Sequence, residues 1–453
     1  MRATYRRGAD MTLVLAEQRW LRLSSFTAFY FAQGVPIGLF GAIMPWLSQQ
    51  GVAEADIAWY ATVVALPWAF KLLAGPFMDR FTAPAMGFRR PWALAAQAGL
   101  VAAFVALAAT APAAHEMVVL MAFGFLVNTF AATQDVAVDG MAIDILPEDE
   151  RGRANAFMAF GQTLGAAAFT AACGFLLVRF GVAGAAVACG LTVGLIFTLV
   201  ARVRERAGEK LMPWREGRPA LVERMQSVRF REILRDLLRV LFLPMSLLLV
   251  LVEFLARVRD GIAIVVFPVI AVQQLGFDAQ SYAAFDAVTG LIAAVVGVAV
   301  GPFIDRRGAR RYLMGALVLA AVAHAAFALL TPLWDSQAFV IALGLVAKIL
   351  GQVVFVAVIA LFMTLCWTKV AATQFAIYMS LANLSRTIGS ALFALVAVHM
   401  GYSLEFLAMA VLLAASAAVL LLFDGRKHTE RLKAVATRGE RDIAGEGVAD
   451  AGG

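Results

Sequence analysis

Charge is scarce in this chain. Lys, Arg, Asp and Glu together make up 15% of its 453 residues, against roughly 25% in a soluble domain. Too few polar groups remain to clothe a water-facing surface, which excludes an ordinary globular protein. Cysteine and histidine are scarcer still. Cys173, Cys189 and Cys366 show no CxxC or metal-ligand spacing, and His115, His324, His399 and His428 are scattered. The cysteines read as small buried hydrophobes, and no metal or other cofactor is expected. GxSxG, HExxH and GxxxxGK[ST] are all missing, so the chain is not expected to be an enzyme or a self-contained ATP-driven pump. Strict apolar/polar alternation is missing too, which excludes a membrane β-barrel. Arg2, Arg6 and Arg7 precede no separate apolar core with a cleavage site. Residues 1–21 therefore read as a tail and not as a signal peptide.

What is present is apolar: 62% of residues are hydrophobic and 33 are Phe, with a mean hydropathy of +0.81. A helical span needs roughly 20 consecutive apolar residues, and a helix satisfies its own backbone in lipid. Runs bounded by charge, Gly or Pro fall near 22–47, 57–77, 91–111, 117–138, 154–177, 182–202, 241–269, 281–303, 312–331, 337–364, 373–398 and 403–423. That predicts an all-α integral membrane protein with twelve transmembrane helices.

The connections after odd-numbered spans hold no Lys or Arg except Arg179. Those after even-numbered spans hold Arg80, Arg89, Arg90, Arg151, Arg153, the many basic residues of 202–239, and Arg306, Arg307, Arg310 and Arg311. Basic loops stay on the cytoplasmic side, so both termini are expected there. The net charge of +7 thus reflects topology, and nucleic acid is not an expected partner. The basic linker 203–239 separates two six-helix halves, 22–202 and 240–423, and 424–453 reads as a cytoplasmic tail without structure. Within the linker, 228–238 has an amphipathic rhythm that fits either an in-plane helix on an anionic leaflet or a solvated connection.

One motif occurs twice. Gly75-Pro76-Phe77-Met78-Asp79-Arg80, at the end of the second span, reappears as Gly301-Pro302-Phe303-Ile304-Asp305-Arg306 at the end of the eighth. Five of six residues match at an offset of 226, about half the chain, so the halves read as structural repeats. With the Arg307-Gly308-Ala309-Arg310-Arg311 that follows it, the second copy resembles the signature loop of the major facilitator superfamily. The glycine would let two helices approach closely. The Asp would cap a helix or pair with an Arg of its neighbour, latching one access state. Gly75, Asp79, Arg80, Gly301, Asp305 and Arg306 are the expected gating motif.

Further segments narrow the resemblance. Ala65-Leu66-Pro67-Trp68-Ala69-Phe70-Lys71, Gln134-Asp135-Val136-Ala137-Val138-Asp139-Gly140, Arg257-Val258-Arg259-Asp260 and Ala372-Thr373-Gln374-Phe375-Ala376 resemble the branch containing AmpG-type muropeptide permeases, acetyl-CoA transporters and some siderophore importers. The resemblance implies a monomeric, proton-coupled secondary transporter of the bacterial inner membrane, surrounded by lipid. It would import an anionic small molecule such as a muropeptide by alternating access. Siderophores, acetyl-CoA or other organic anions are the alternative cargoes, and a non-transporting sensor with this fold is the alternative activity.

A charge at the bilayer centre costs about 2.5–3.5 kcal/mol on insertion scales, so each one needs a partner or a task. Lys71, Glu253, Arg257, Asp260, Lys348 and Arg386 fall inside predicted spans. Glu253, Arg257 and Asp260 share one helical face. They read either as a self-neutralising packing cluster or as the lining of an aqueous cavity. In the second case Lys71, Arg257, Lys348 and Arg386 clasp an anion, and Glu253 or Asp260 carries a proton. His324 is the alternative carrier, or a packed residue. Gln33, beside Gly34 and Pro36, interrupts the first span and can offer hydrogen bonds to a polar cargo. Gln352, Gln134 and Gln374 are weaker candidates of the same type, or helix-packing glue. Asp135 and Asp139, four apart at the end of the fourth span, read as part of the latch through the basic loops, or as substrate contacts.

Overall fold

The computed structural model describes residues 13–74, 77–78, 81, 84–147, 150–212, 230–367, 371–432 and 434. Apolar runs of span length become helices nearly where the sequence places them: α1 (Arg19–Gln49), α2 (Glu54–Phe70), α3 (Arg90–Thr110), α4 (Met117–Ile145) and α5 (Arg151–Val200) in the first half. The second half holds α7 (Pro244–Gln273), α8 (Ala279–Arg307), α9 (Ala309–Leu329), α10 (Gln337–Leu365), α11 (Ala371–Val396) and α12 (Tyr402–Leu421), preceded by the short α6 (Phe230–Leu241) in the linker. The fifth and sixth spans run together as α5, bent at Gly181, whose φ of 65° lies in the left-handed region that glycine adopts without strain. With α5 crossing twice, the chain makes twelve crossings.

The two halves pack alike. In the first, α1 and α3 each pack on α5, and α4 packs on both α2 and α3. In the second, α7 packs on α11, α9 on α12, and α10 on both α8 and α9. The halves meet through the equivalent pairs α2 with α11 and α5 with α8. Glycine makes the two closest seams. A Cβ added at Gly34 of α1 would lie 2.5 Å from the Gln162 carbonyl oxygen of α5, and one at Gly38 would lie 2.6 Å from that of Ala166. At the matching α7–α11 seam, Gly261 and Gly389 likewise abut backbone and leave no room for a side chain.

The apolar cores are layered. One cluster takes in the whole first half together with Val265, Val266 and Val269 of α7, Ala283 of α8, Phe327 of α9, Phe393 of α11 and Phe406 of α12. A second cluster, with Leu249, Val252, Leu313, Leu317, Leu361 and Leu420, belongs to the other half alone. The second-half members of the first cluster lie at the helix ends away from the face that carries the termini, and the second cluster lies toward that face. The halves therefore share one core on the far face and part toward the terminal face.

Long-range polar contacts tie down the connections on the terminal face. Glu205 is fully buried and accepts the N–H groups of Phe88 at 3.0 Å, Arg89 at 2.8 Å and Arg90, closing the start of α3. Arg22 donates to Glu150 at 2.5 Å and to the Leu15 carbonyl at 2.8 Å. In the linker, α6 buries Leu237 and Val240 and exposes Leu238, so part of it is an amphipathic helix. The tail expectation needs a correction over its first residues, because 425–432 are helical. Asp424 Oδ1 accepts the Arg426 N–H at 3.0 Å, and the buried His428 sets Nε2 3.1 Å from the Leu365 carbonyl oxygen, which anchors that turn to α10.

Candidate substrate and ion site

Most of the intramembrane charges gather into two networks, one in each half. In the first, α1 contributes Tyr30 and Gln33, three residues apart on one face, and α4 contributes Asp135 and Asp139, four apart. Lys71 sits where α2, after Pro67, tightens into a single 3₁₀ turn. Lys71 Nζ lies 2.6 Å from Asp135 Oδ2, and Gln33 Nε2 donates to Asp135 Oδ1 at 2.6 Å. The Tyr30 hydroxyl donates to Asp139. The expected latch of Asp135 and Asp139 with the basic loops is not formed among the described residues in this structure. Their partners lie on α1 and α2 within the membrane, because the facing helices supply a cation and donors at that depth. Two carboxylates here meet one ammonium.

The second network is on α7. Arg257 Nε lies 2.7 Å from Glu253 Oε1, and its Nη1 lies 2.9 Å from Asp260 Oδ2. Asp260 also takes Arg259 Nη1 at 2.9 Å. Glu253 is buried, and its Oε2 has no hydrogen-bond partner among the described residues. Arg257 further stacks over the Phe355 ring of α10, 4.8 Å from its centroid. Arg386, midway along α11, faces Arg257 and Asp260 electrostatically yet makes no hydrogen bond or ion pair among the described residues. Three guanidiniums here meet two carboxylates.

Lys348 does not join either network. It pairs with Asp286 of α8, an acid five residues inside the predicted eighth span that counting from span ends could have flagged. Gln352 packs across Gly297 of α8. Gln374 is saturated by the Trp367 N–H, the Leu365 carbonyl and the Tyr378 hydroxyl, and Gln134 donates to the Phe29 carbonyl at 2.7 Å. These two are helix-packing contacts. His324 sits between the Phe267 and Phe406 rings with Nδ1 2.7 Å from the Ala320 carbonyl oxygen, a packed residue. In the gating motif, Gly75, Asp79 and Arg80 lie outside the described residues and so does the Asp305 side chain, while Arg306 is exposed. A Cβ at Gly301 would meet no atom of the described residues within 4 Å, so no close helix approach is formed at that glycine among them.

Residues 26–256 and 249–445 match the sequence profile of the Major Facilitator Superfamily. The chain belongs to the major facilitator superfamily. Within it, the anhydromuropeptide permease of Escherichia coli (strain K12) is 26% identical over 368 residues, covering 79% of this chain and 70% of that protein. The putative transporter AmpG 3 of Rickettsia prowazekii (strain Madrid E) is 23% identical over 386 residues, covering 83% and 89%. Two solved structures share the major facilitator fold. A POT family transporter in complex with a thioalcohol-conjugated peptide superimposes with a TM-score of 0.69 at 10% identity, covering 90% of this chain and 96% of its own. A D-xylose–proton symporter does so with 0.68 at 12%, covering 89% and 97%. This chain is thus an AmpG-like, multi-pass member of the superfamily, and its two charge networks sit one in each repeat.

Proposed function

We propose that this protein is a proton-coupled importer of a small anionic molecule, working by alternating access in a bacterial inner membrane with both termini in the cytoplasm. The basic even-numbered loops support that orientation, and the parting of the two cores toward the terminal face then corresponds to an inward-facing state. The observation that carries the reading is the state of Arg257 and Arg386. One guanidinium is held by two carboxylates, and a second, Arg386, stands beside it with no hydrogen bond or ion pair among the described residues.

An anionic cargo docks first on Arg386. To reach Arg257 it must displace Glu253 or Asp260, and a carboxylate released into a low-dielectric site takes up a proton. Cargo and proton then bind together, and loss of the cargo returns the carboxylate to Arg257. Glu253 suits the role because one of its oxygens is already without a donor. The opposite network, with its surplus carboxylate, Gln33 and Lys71, favours a cargo that also carries hydroxyl, amide or ammonium groups. The relatives named as muropeptide permeases point to a cell-wall fragment, which has both kinds of group.

Uptake of labelled anhydromuropeptide into proteoliposomes with an imposed inward proton gradient tests this. Accumulation should collapse with a protonophore. It should fall at least tenfold in Arg257→Ala and in Arg386→Ala, a loss of about 1.4 kcal/mol or more in binding. Glu253→Gln should still exchange cargo across the membrane but no longer concentrate it. Wild-type accumulation in both arginine variants would remove the anion clasp, and accumulation indifferent to the protonophore would remove the coupling.

A further inference from the structure

On its outer side, α9 exposes a ridge of Val318, Leu319 and Val322, the surface a span turns toward lipid. At the terminal-face end of that ridge, α8, α9 and α10 line a shallow, open lateral groove of about 340 Å³. Its outer end is cationic: Arg307 closes α8, Arg311 lies in the first turn of α9, and Tyr312 follows it. Its inner walls are apolar, from Ala316, Leu319, Leu350 and Val353. Between Arg311 and Leu319 the axis of α9 rises about 12 Å, at 1.5 Å per residue. Cationic at the membrane boundary and apolar inward, the groove has the polarity of a phospholipid.

Neither Arg307 nor Arg311 makes a hydrogen bond or ion pair among the described residues. Their neighbour Arg310 is engaged, with Nη2 2.9 Å from the Leu421 carbonyl oxygen of α12, so the two free guanidiniums are not simply a feature of the basic loop. Gly315 keeps the slot open, since a Cβ there would meet no atom within 4 Å.

We propose that this groove is a binding site for one anionic membrane phospholipid. Its phosphodiester takes the Arg307 and Arg311 guanidiniums and the Tyr312 hydroxyl as donors, and one acyl chain lies past Gly315 along Leu319, Leu350 and Val353. Basic recesses between spans at the membrane boundary select acidic headgroups, and the planar guanidinium matches phosphate oxygens in pairs. Two cations favour a lipid of net negative charge over a zwitterionic one, whose own ammonium competes for the phosphate. Free phosphate would satisfy only the outer half of the site. The lipid is not cargo, and the site is independent of the transport reading.

Purified full-length protein in detergent tests this by thermal unfolding and native mass spectrometry. The probes are phosphatidylglycerol, phosphatidylcholine of the same chain length, and inorganic phosphate at matched ionic strength. Phosphatidylglycerol should raise Tm saturably and be retained in the gas phase, while the other two do neither. The double variant Arg307→Gln/Arg311→Gln should weaken that response by roughly twenty-five-fold, at about fivefold per guanidinium. Gly315→Leu fills the slot while keeping both guanidiniums; it should hold the lipid-free Tm and still lose lipid. Equal responses to the two lipids, or reproduction of the shift by phosphate alone, would overturn the proposal. So would unchanged phosphatidylglycerol binding in the double variant or, should that variant not fold, in Gly315→Leu.

Discussion

Lys71 and Asp135 show at the scale of single residues what a charge within a membrane protein requires. The ammonium lies 2.6 Å from the carboxylate, which also accepts from Gln33. Lys71→Met leaves Asp135 without its cation. Breaking a buried pair from one side costs about 3–5 kcal/mol; the Lys71 side chain is 22% exposed, which puts the expected loss at the lower end. The double variant Lys71→Met/Asp135→Leu removes both charges and should recover most of the stability. Thermal unfolding of the purified variants checks it, and equal Tm values for wild type and Lys71→Met would show that the pair holds nothing together. Such pairs were only partly legible in the sequence. Spacing revealed Glu253, Arg257 and Asp260 because each lies about one helical turn from the next on one face, and it showed that Lys71 is deep. It could not show that Tyr30 meets Asp139, 109 residues away, or that Lys348 meets Asp286, 62 residues away, since depth along a helix says nothing about which other helix stands opposite.

At the scale of the helix, apolar run length was enough to place the spans, because lipid leaves the backbone no other way to bond. What run length could not supply was the seams. Gly34 reads in sequence as part of an interruption of the first span, yet in the fold it and Gly38 are where α1 and α5 press backbone on backbone. Gly301 read as a packing glycine and has open space around it. The two glycines therefore make opposite predictions. Gly34→Ala drives a methyl into the α5 backbone, which cannot swing aside, and overpacking of this kind costs about 1–3 kcal/mol. Gly301→Ala meets nothing and replaces a poor helix former with the best one, a gain of up to about 1 kcal/mol. Melting temperatures should therefore fall for the first and hold or rise for the second. The reverse order would mean that the α1–α5 seam is not where the helices touch.

For the molecule as a whole, the repeat seen in two hexapeptides becomes two bundles that share a core on one face and part toward the other. The shared side is held by more than apolar contact. Thr62 of α2 donates to Ser390 of α11 across the halves at 2.9 Å, and Gln49 at the end of α1 accepts the Ala279 N–H at the start of α8 at 2.8 Å. If the halves rock about a central site, the contacts of this face must break once in every cycle. Thr62→Cys/Ser390→Cys makes that directly measurable. Side-chain oxygens 2.9 Å apart put the two β-carbons within reach of a disulfide, and the bond would pin α2 to α11 in the state described here. The cross-link should form in the membrane with mild oxidant, stop accumulation of cargo, and leave cargo-induced stabilisation of the solubilised protein intact, because the gap toward the terminal face stays open. Reduction should restore transport. A fully cross-linked protein that still accumulated cargo at the uncross-linked rate would mean that α2 and α11 travel together, and the moving boundary would then lie elsewhere than between the two repeats.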